Sequence, residues 1–191
     1  MVELSSEIDL SGNLLIAMPG MEDPRFAQSV VFMCAHSKNG AMGLIVNKPS
    51  PDLSVKDLLA HLNIPPSEDA SRICVHFGGP VEHGRGFVLH SSDYSSDDST
   101  LQVDHHFGMT ATLDILKDIA RGHGPSSSLL AMGYAGWGPG QLEGELQNNG
   151  WLTCEAAPEI VFSADNGGKW EKALAALGID PLMLSAEGGR A

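Results

Sequence analysis

The chain has 191 residues, of which 42% are apolar and 18% charged. That is enough for one domain burying about 70% of its unfolded surface, and it excludes a disordered chain. Twenty-four acidic against 11 basic residues leave a net charge of -13 with no Lys/Arg cluster, which opposes direct binding to DNA, RNA or anionic membranes, since all three are held chiefly by neutralising their phosphates.

The first 13 residues carry acidic side chains where a secretory signal carries basic ones, and no apolar run reaches the roughly 18 residues of a membrane span. The three cysteines, Cys34, Cys74 and Cys154, are odd in number and form no C-x-x-C pair. A disulfide framework and a zinc knuckle are therefore not expected, and a reducing cytoplasm is.

Residues 1–11 read as a loose lead-in, and residues 12–18 (GNLLIAM) as a strand stopped by Pro19-Gly20. Residues 19–26 form an irregular loop. Residues 28–48, QSVVFMCAHSKNGAMGLIVNK, hold two β-branched apolar runs around Asn39-Gly40, the pattern of an antiparallel hairpin whose turn residues tolerate positive φ. Both runs are almost continuously apolar, as for strands covered on both faces, which puts the hairpin at the centre of a sheet.

Ser54 then caps a helix with Val55, Leu58, Leu59 and Leu62 on one stripe, ended by Ile64-Pro65-Pro66. Strands are expected at 72–77 and 86–90 as neighbours joined by the turn Gly78-Gly79-Pro80, and residues 91–100 (SSDYSSDDST) as an exposed acidic loop. A short edge strand at 101–103 and a helix at 112–121 with Leu113, Leu116 and Ala120 on one face lead to Gly122. Residues 128–134 read as a buried strand and residues from about 139 to 147 as a helix with Pro139 in its first turn. Further strands are expected at 151–156 and 159–162, then a closing helix at 169–177 and a loose end at 186–191. The fold class is α/β: a mixed sheet with helices packed on its faces, α+β being the close alternative.

The glycine-rich corner at 133–143 precedes a helix, where backbone amides could cradle an anion, but Gln141 breaks G-x-G-x-x-G and no Lys or Arg lies between 122 and 168. It reads first as a tight strand-to-helix corner and second as a recognition site, with Trp137 as apolar anchor and Gln141 and Glu143 as polar contacts. His105-His106 and His76, His83 and His90 lack metal-ligand spacing, so no metal is expected, and no cofactor. Cys34 and His36 are two apart and could share a strand face as a Cys/His couple, against the plainer reading of a core thiol. Arg85 is a lone cation among glycines, paired to Glu82 or serving as a fork for a carboxylate or phosphate alongside Asn47 and Asp23.

Three stretches, residues 12–49, GGPVEHGRGFVLH at 78–90 and GYAGWGPGQLEGELQNNGWL at 133–152, resemble the AlgH/YqgE family of bacterial proteins, in order and across nearly the whole chain. The resemblance implies a single-domain α/β fold in a cytosolic bacterial protein, with a label of transcriptional regulator taken from alginate control. It implies no agreed substrate, cofactor or catalytic residue. The function expected is a non-enzymatic binding or regulatory module contacting a protein or small ligand through Asp23, Phe26, Asn47, Arg85, Trp137, Gln141 and Glu143. The alternative is an enzyme of unrecognised type using Asp23, His36, Arg85 and Glu143, and direct DNA binding is third, carried by the label alone.

Overall fold

The computed structural model describes residues 8–180 apart from 97 and 113. The chain begins with β1 (Asn13–Ala17), β2 (Val30–Ser37), β3 (Gly40–Ile45), α1 (Val55–His61) and α2 (Glu68–Ser71). It continues through β4 (Val75–Phe77), β5 (Val81–Ser91), β6 (Thr100–Gln102), β7 (Phe107–Thr110) and α3 (Asp114–Ala120). Then come β8 (Ser128–Trp137), α4 (Gln141–Gln147), β9 (Trp151–Glu155), α5 (Pro158–Val161) and α6 (Lys169–Ala176).

Eight strands follow one antiparallel path, β6-β7-β5-β8-β3-β2-β1-β9, while β4 joins β8 in parallel. The β2–β3 hairpin is interior, with both outer edges paired. Leu14, Phe32 and Leu44 bury on one face and Leu15, Val31 and Ile45 on the other, which is why both runs are apolar at successive positions. The sheet curls, so that Leu14, Phe32 and Leu44 share a core with Phe87, Leu89 and Phe107 from its other half and with Trp170 and Leu174 of α6. Helices α1, α2 and α3 cover the outside of the β4–β5–β8 half, and α4 covers the outside of the hairpin half through Leu142.

The hairpin turn is Lys38-Asn39, with Ser37 opposite Gly40, not the expected Asn39-Gly40. Positive φ falls on Gly40, where a Cβ would lie 2.5 Å from the Trp137 carbonyl oxygen, so the close approach of β8 asks for glycine there. Cys34 forms a bulge, since Met33 pairs with Gly43 and Ala35 with Met42.

The expected neighbours at 72–77 and 86–90 are not adjacent: residues 130–132 of β8 lie between β4 on one edge and β5 on the other. The chain crosses β8 at Gly78-Gly79-Pro80. A Cβ on Gly79 would sit 2.1 Å from the Tyr134 carbonyl carbon, and one on Gly133 2.5 Å from the Gly79 oxygen. Backbone lies on backbone there, which only missing side chains permit.

Ser54 caps α1 by accepting the Asp57 amide, and Val55, Leu58 and Leu59 bury as expected. Gly122 and Gly178, at φ 80° and 73°, follow α3 and α6 in the left-handed turn that ends a helix. Residues 159–162 are helical instead of extended: Pro158 occupies the first turn of α5, and a short apolar run alone does not distinguish the two states. Pro139 lies just upstream of α4, whose cap is Gly140 at φ 74°. The loop at 91–100 is anchored by Tyr94, whose hydroxyl donates to Asp118 across 2.6 Å. Residues 8–11 are likewise held, Leu10 through His36, whereas the expected loose ends at 1–7 and 186–191, and Leu113 of the helix stripe, lie outside the described residues.

Candidate functional site

The curled sheet closes over its core at one end and gapes at the other. The gap is an open cleft of about 960 Å³ where the outer ends of β2, β3 and β8 face β5, β6 and β7. Strand alternation puts Met42, Phe87, Met109 and Tyr134 into it beside the bulged Cys34. Tyr134 stands edge-on to Phe87 at 5.8 Å. Gly136, two residues beyond Tyr134 on the same face, leaves room where a side chain would fill the mouth.

The cleft acquires a cation from an excursion in β5. Val81 pairs with Tyr134 and Gly86 with Met132, so residues 82–85 bulge out opposite Gly133 alone, starting at Glu82 with φ 49°. Among the described residues Arg85 is the one Lys or Arg lining the cleft. Its guanidinium lies 5.1 Å from the Phe87 ring centroid and 3.4 Å from Glu82, with both members of that pair about half exposed. A surface ion pair of this kind is worth no more than about 1 kcal/mol, so the fork is free to exchange Glu82 for an incoming carboxylate.

His36 also lines the cleft, yet both ring nitrogens are committed. Nδ1 accepts the Leu10 amide at 3.1 Å, which places the proton on Nε2, and Nε2 donates to Glu143 Oε1 at 2.6 Å. That bond is the main reason the Glu143 carboxyl is held below the usual range. Cys34 does not couple to His36: its thiol faces the Phe32 carbonyl, and burial pushes it up to about 12. The floor thus offers apolar contact and the rim, among the described residues, a single cation.

The residues singled out in the sequence fall in three places. Arg85 and Trp137 both line the cleft. Trp137 is no apolar anchor: strand alternation turns its side chain to the opposite face of β8 from Tyr134 and Gly136, where it is 7% exposed beside Trp151 and Leu142, with its indole donating to Glu145 at 3.4 Å. Gln141 and Glu143 stand on α4, which packs on that opposite face; Gln141 accepts the Gly138 amide at 3.0 Å. Asp23, Phe26 and Asn47 gather at the far end of the hairpin. Asn47 Oδ1 accepts the Val30 amide, Asp23 pairs with Arg25 at 2.7 Å, and Phe26 meets Trp151 edge-on. Val30 and the cleft residue Ser37 stand seven strand positions apart on β2, about 23 Å. The turns bearing Asp23, Asn47 and Arg85 therefore do not converge.

Met42, Phe87, Met109, Tyr134 and Glu145 were missed. Their signal was the alternation of Arg85 with Phe87 and of Tyr134 with Gly136, legible once strand β5 is drawn back to Val81. His105 and His106 sit in a turn capped by Asp104 Oδ1 instead of on a strand. His76 and His90 lie on opposite sides of β8 and are held below the ordinary histidine value by burial. No group of three His, Cys, Asp or Glu side chains among the described residues is placed to hold a metal, and no described helix is long and apolar enough to cross a membrane.

A family model described as AlgH-like matches residues 14–182. The chain belongs to the AlgH-like family. A UPF0301 protein of Cereibacter sphaeroides is 61% identical over 184 residues, covering 96% of this chain and 100% of that one. A UPF0301 protein of Ruegeria pomeroyi is 60% identical over 185 residues with the same coverage. The solution structure of the AlgH protein from Pseudomonas aeruginosa is 43% identical with a TM-score of 0.77, each chain covered in full. A crystal structure from Corynebacterium diphtheriae, 22% identical, covers 92% of this chain and 91% of its own at a TM-score of 0.73, and shares the AlgH-like fold.

Proposed function

We propose that this AlgH-like protein is a cytoplasmic, non-enzymatic binding module that holds a protein segment or small ligand in the cleft at the open end of its sheet. The supporting observation is the pairing of an apolar floor, Met42, Phe87, Met109 and Tyr134, with one exchangeable cation, Arg85, which is how a binding site combines area with orientation. Trp137, Gln141 and Glu143 support the wall. Any regulatory role acts through such contact and not through DNA, because a net charge of -13 repels a polyphosphate.

The test is a fragment screen by thermal shift on the wild type, Arg85→Ala and Gly136→Leu, with a gel shift at low salt beside it. Hits that stabilise the wild type and weaken in both variants, with no retention of DNA, are expected. Hits that persist unchanged in both variants contradict the site.

A further inference from the structure

We propose that the occupant of the cleft is an extended peptide segment of a partner protein, with apolar residues either side of one carboxylate and basic residues at its flanks. This rests on the reading of the cleft as a binding site and adds the class of partner.

The rim is the first reason. Among the described residues four large apolar side chains are exposed: Ile8, Val81, Leu101 and Leu177. Val81 and Leu101 line the cleft, and Ile8 adjoins Asp9, which lines it too. A metabolite lying on the floor leaves this rim in water, whereas a polypeptide crossing the mouth covers it. An exposed apolar groove marks an interaction or ligand-binding site, and the aliphatic side chains at this mouth favour the occupant large enough to cover them. Two floor residues are methionines, whose unbranched side chains adapt to varied apolar partners.

Charge narrows the class further. Arg85 supplies one fork, already laid against Phe87 and, among the described residues, tied only to exposed Glu82, so it takes one carboxylate in place of Glu82. A second acid has no second Lys or Arg to pair with among the described lining residues, and it meets Asp9 and the field of a chain at -13. Flanking Lys or Arg side chains complement that field and speed association.

Selection from a phage-displayed random-peptide library on the whole protein, with counter-selection on Gly136→Leu, tests this. A Cβ on Gly136 meets the Tyr134 ring at 3.4 Å, so the larger side chain fills the mouth without entering the core. The expected peptides carry apolar residues around one Asp or Glu with basic flanks. They lose about tenfold or more in affinity on Arg85→Ala and Gly136→Leu, weaken with salt, and on Arg85→Glu give way to peptides with Lys in the acidic position. Enrichment that is equal on Gly136→Leu, or peptides indifferent to Arg85, overturns the inference. Separate titration with 4-phenylbutyrate and indole distinguishes the two levels. If these bind the cleft and no peptide does, the cleft stands and the peptide partner falls; if nothing binds, both fall.

Discussion

His36 donates its Nε2 proton to Glu143 across 2.6 Å, joining positions 107 apart in the chain. The bond ties the outer end of β2, which walls the cleft, to the first turn of α4, which covers the opposite face of the same sheet. The histidine side chain is 1% exposed, so its N–H loses its acceptor if the carboxylate is lost. Glu143→Ala should cost about 1–2 kcal/mol in urea unfolding, and Glu143→Gln, which keeps an acceptor oxygen, clearly less. Because the folded carboxyl titrates below the ordinary glutamate value of 4.5, its stabilisation is present above that value and lost as pH falls through the folded one. Only the wild type should show this acid-side loss relative to Glu143→Gln.

The crossing of β8 yields a graded glycine series. Gly79→Ala and Gly133→Ala each place a methyl group inside backbone contact distance at positive φ, and should cost about 3 kcal/mol or more, or prevent folding. Gly136→Ala, which meets only the Tyr134 ring at 3.4 Å, should stay within about 1 kcal/mol of the wild type. Chemical denaturation of the three orders them, and equal losses in all would count against the crossing as drawn.

Lys169 is buried at the start of α6, its Nζ donating to the Val46 carbonyl at 2.7 Å. Burial pulls its pKa from 10.5 down to about 8. The unfolded chain keeps that proton up to 10.5 and the folded one releases it near 8, so this residue's contribution to stability rises with pH across that window. Relative to Lys169→Met, the wild type should gain up to about 3 kcal/mol between pH 7 and pH 10.5. The difference between the two chains is the quantity to measure. Raised Cys34 and Tyr94, both pushed up to about 12, work the other way in each chain alone and cancel in the difference.

Ser29 is fully buried, and its hydroxyl has no hydrogen-bond partner among the described residues. Its amide and carbonyl are both paired, with Phe26 and Ala17. Ser29→Ala should therefore be neutral or stabilising by up to about 1 kcal/mol in thermal or urea unfolding.

The central hairpin was legible because burial on both faces leaves no polar alternation to confuse the reading, and the α1 and α6 stripes because four apolar positions fall on one helical face. The site was legible only in fragments. Arg85 and Trp137 stood out as a lone cation and a glycine-flanked aromatic, but what brings them together is a crossing of backbone over backbone, which leaves no mark on apolar periodicity. The glycines of residues 78–86 and 133–140 looked like turn residues and, in part, like an anion cradle. Gly79 and Gly133 instead remove Cβ atoms where β8 is crossed, and Gly136 holds the cleft open. Asp23 and Asn47 were grouped with Arg85 because all lie in polar turns, and turns at opposite ends of an eight-residue strand look alike in one dimension. The α5 segment was misread because four residues are too few to show a period.

The most direct measurement is methyl NMR of the protein carrying ¹³C-labelled methionine, titrated with fragment and peptide hits. Met42 and Met109 report on the cleft, whereas Met18 and Met21 report on the other end of the hairpin. The account predicts that the first pair shifts and the second does not, and that Gly136→Leu abolishes the response. Shifts confined to Met18 and Met21, or a response that survives Gly136→Leu unchanged, would contradict it.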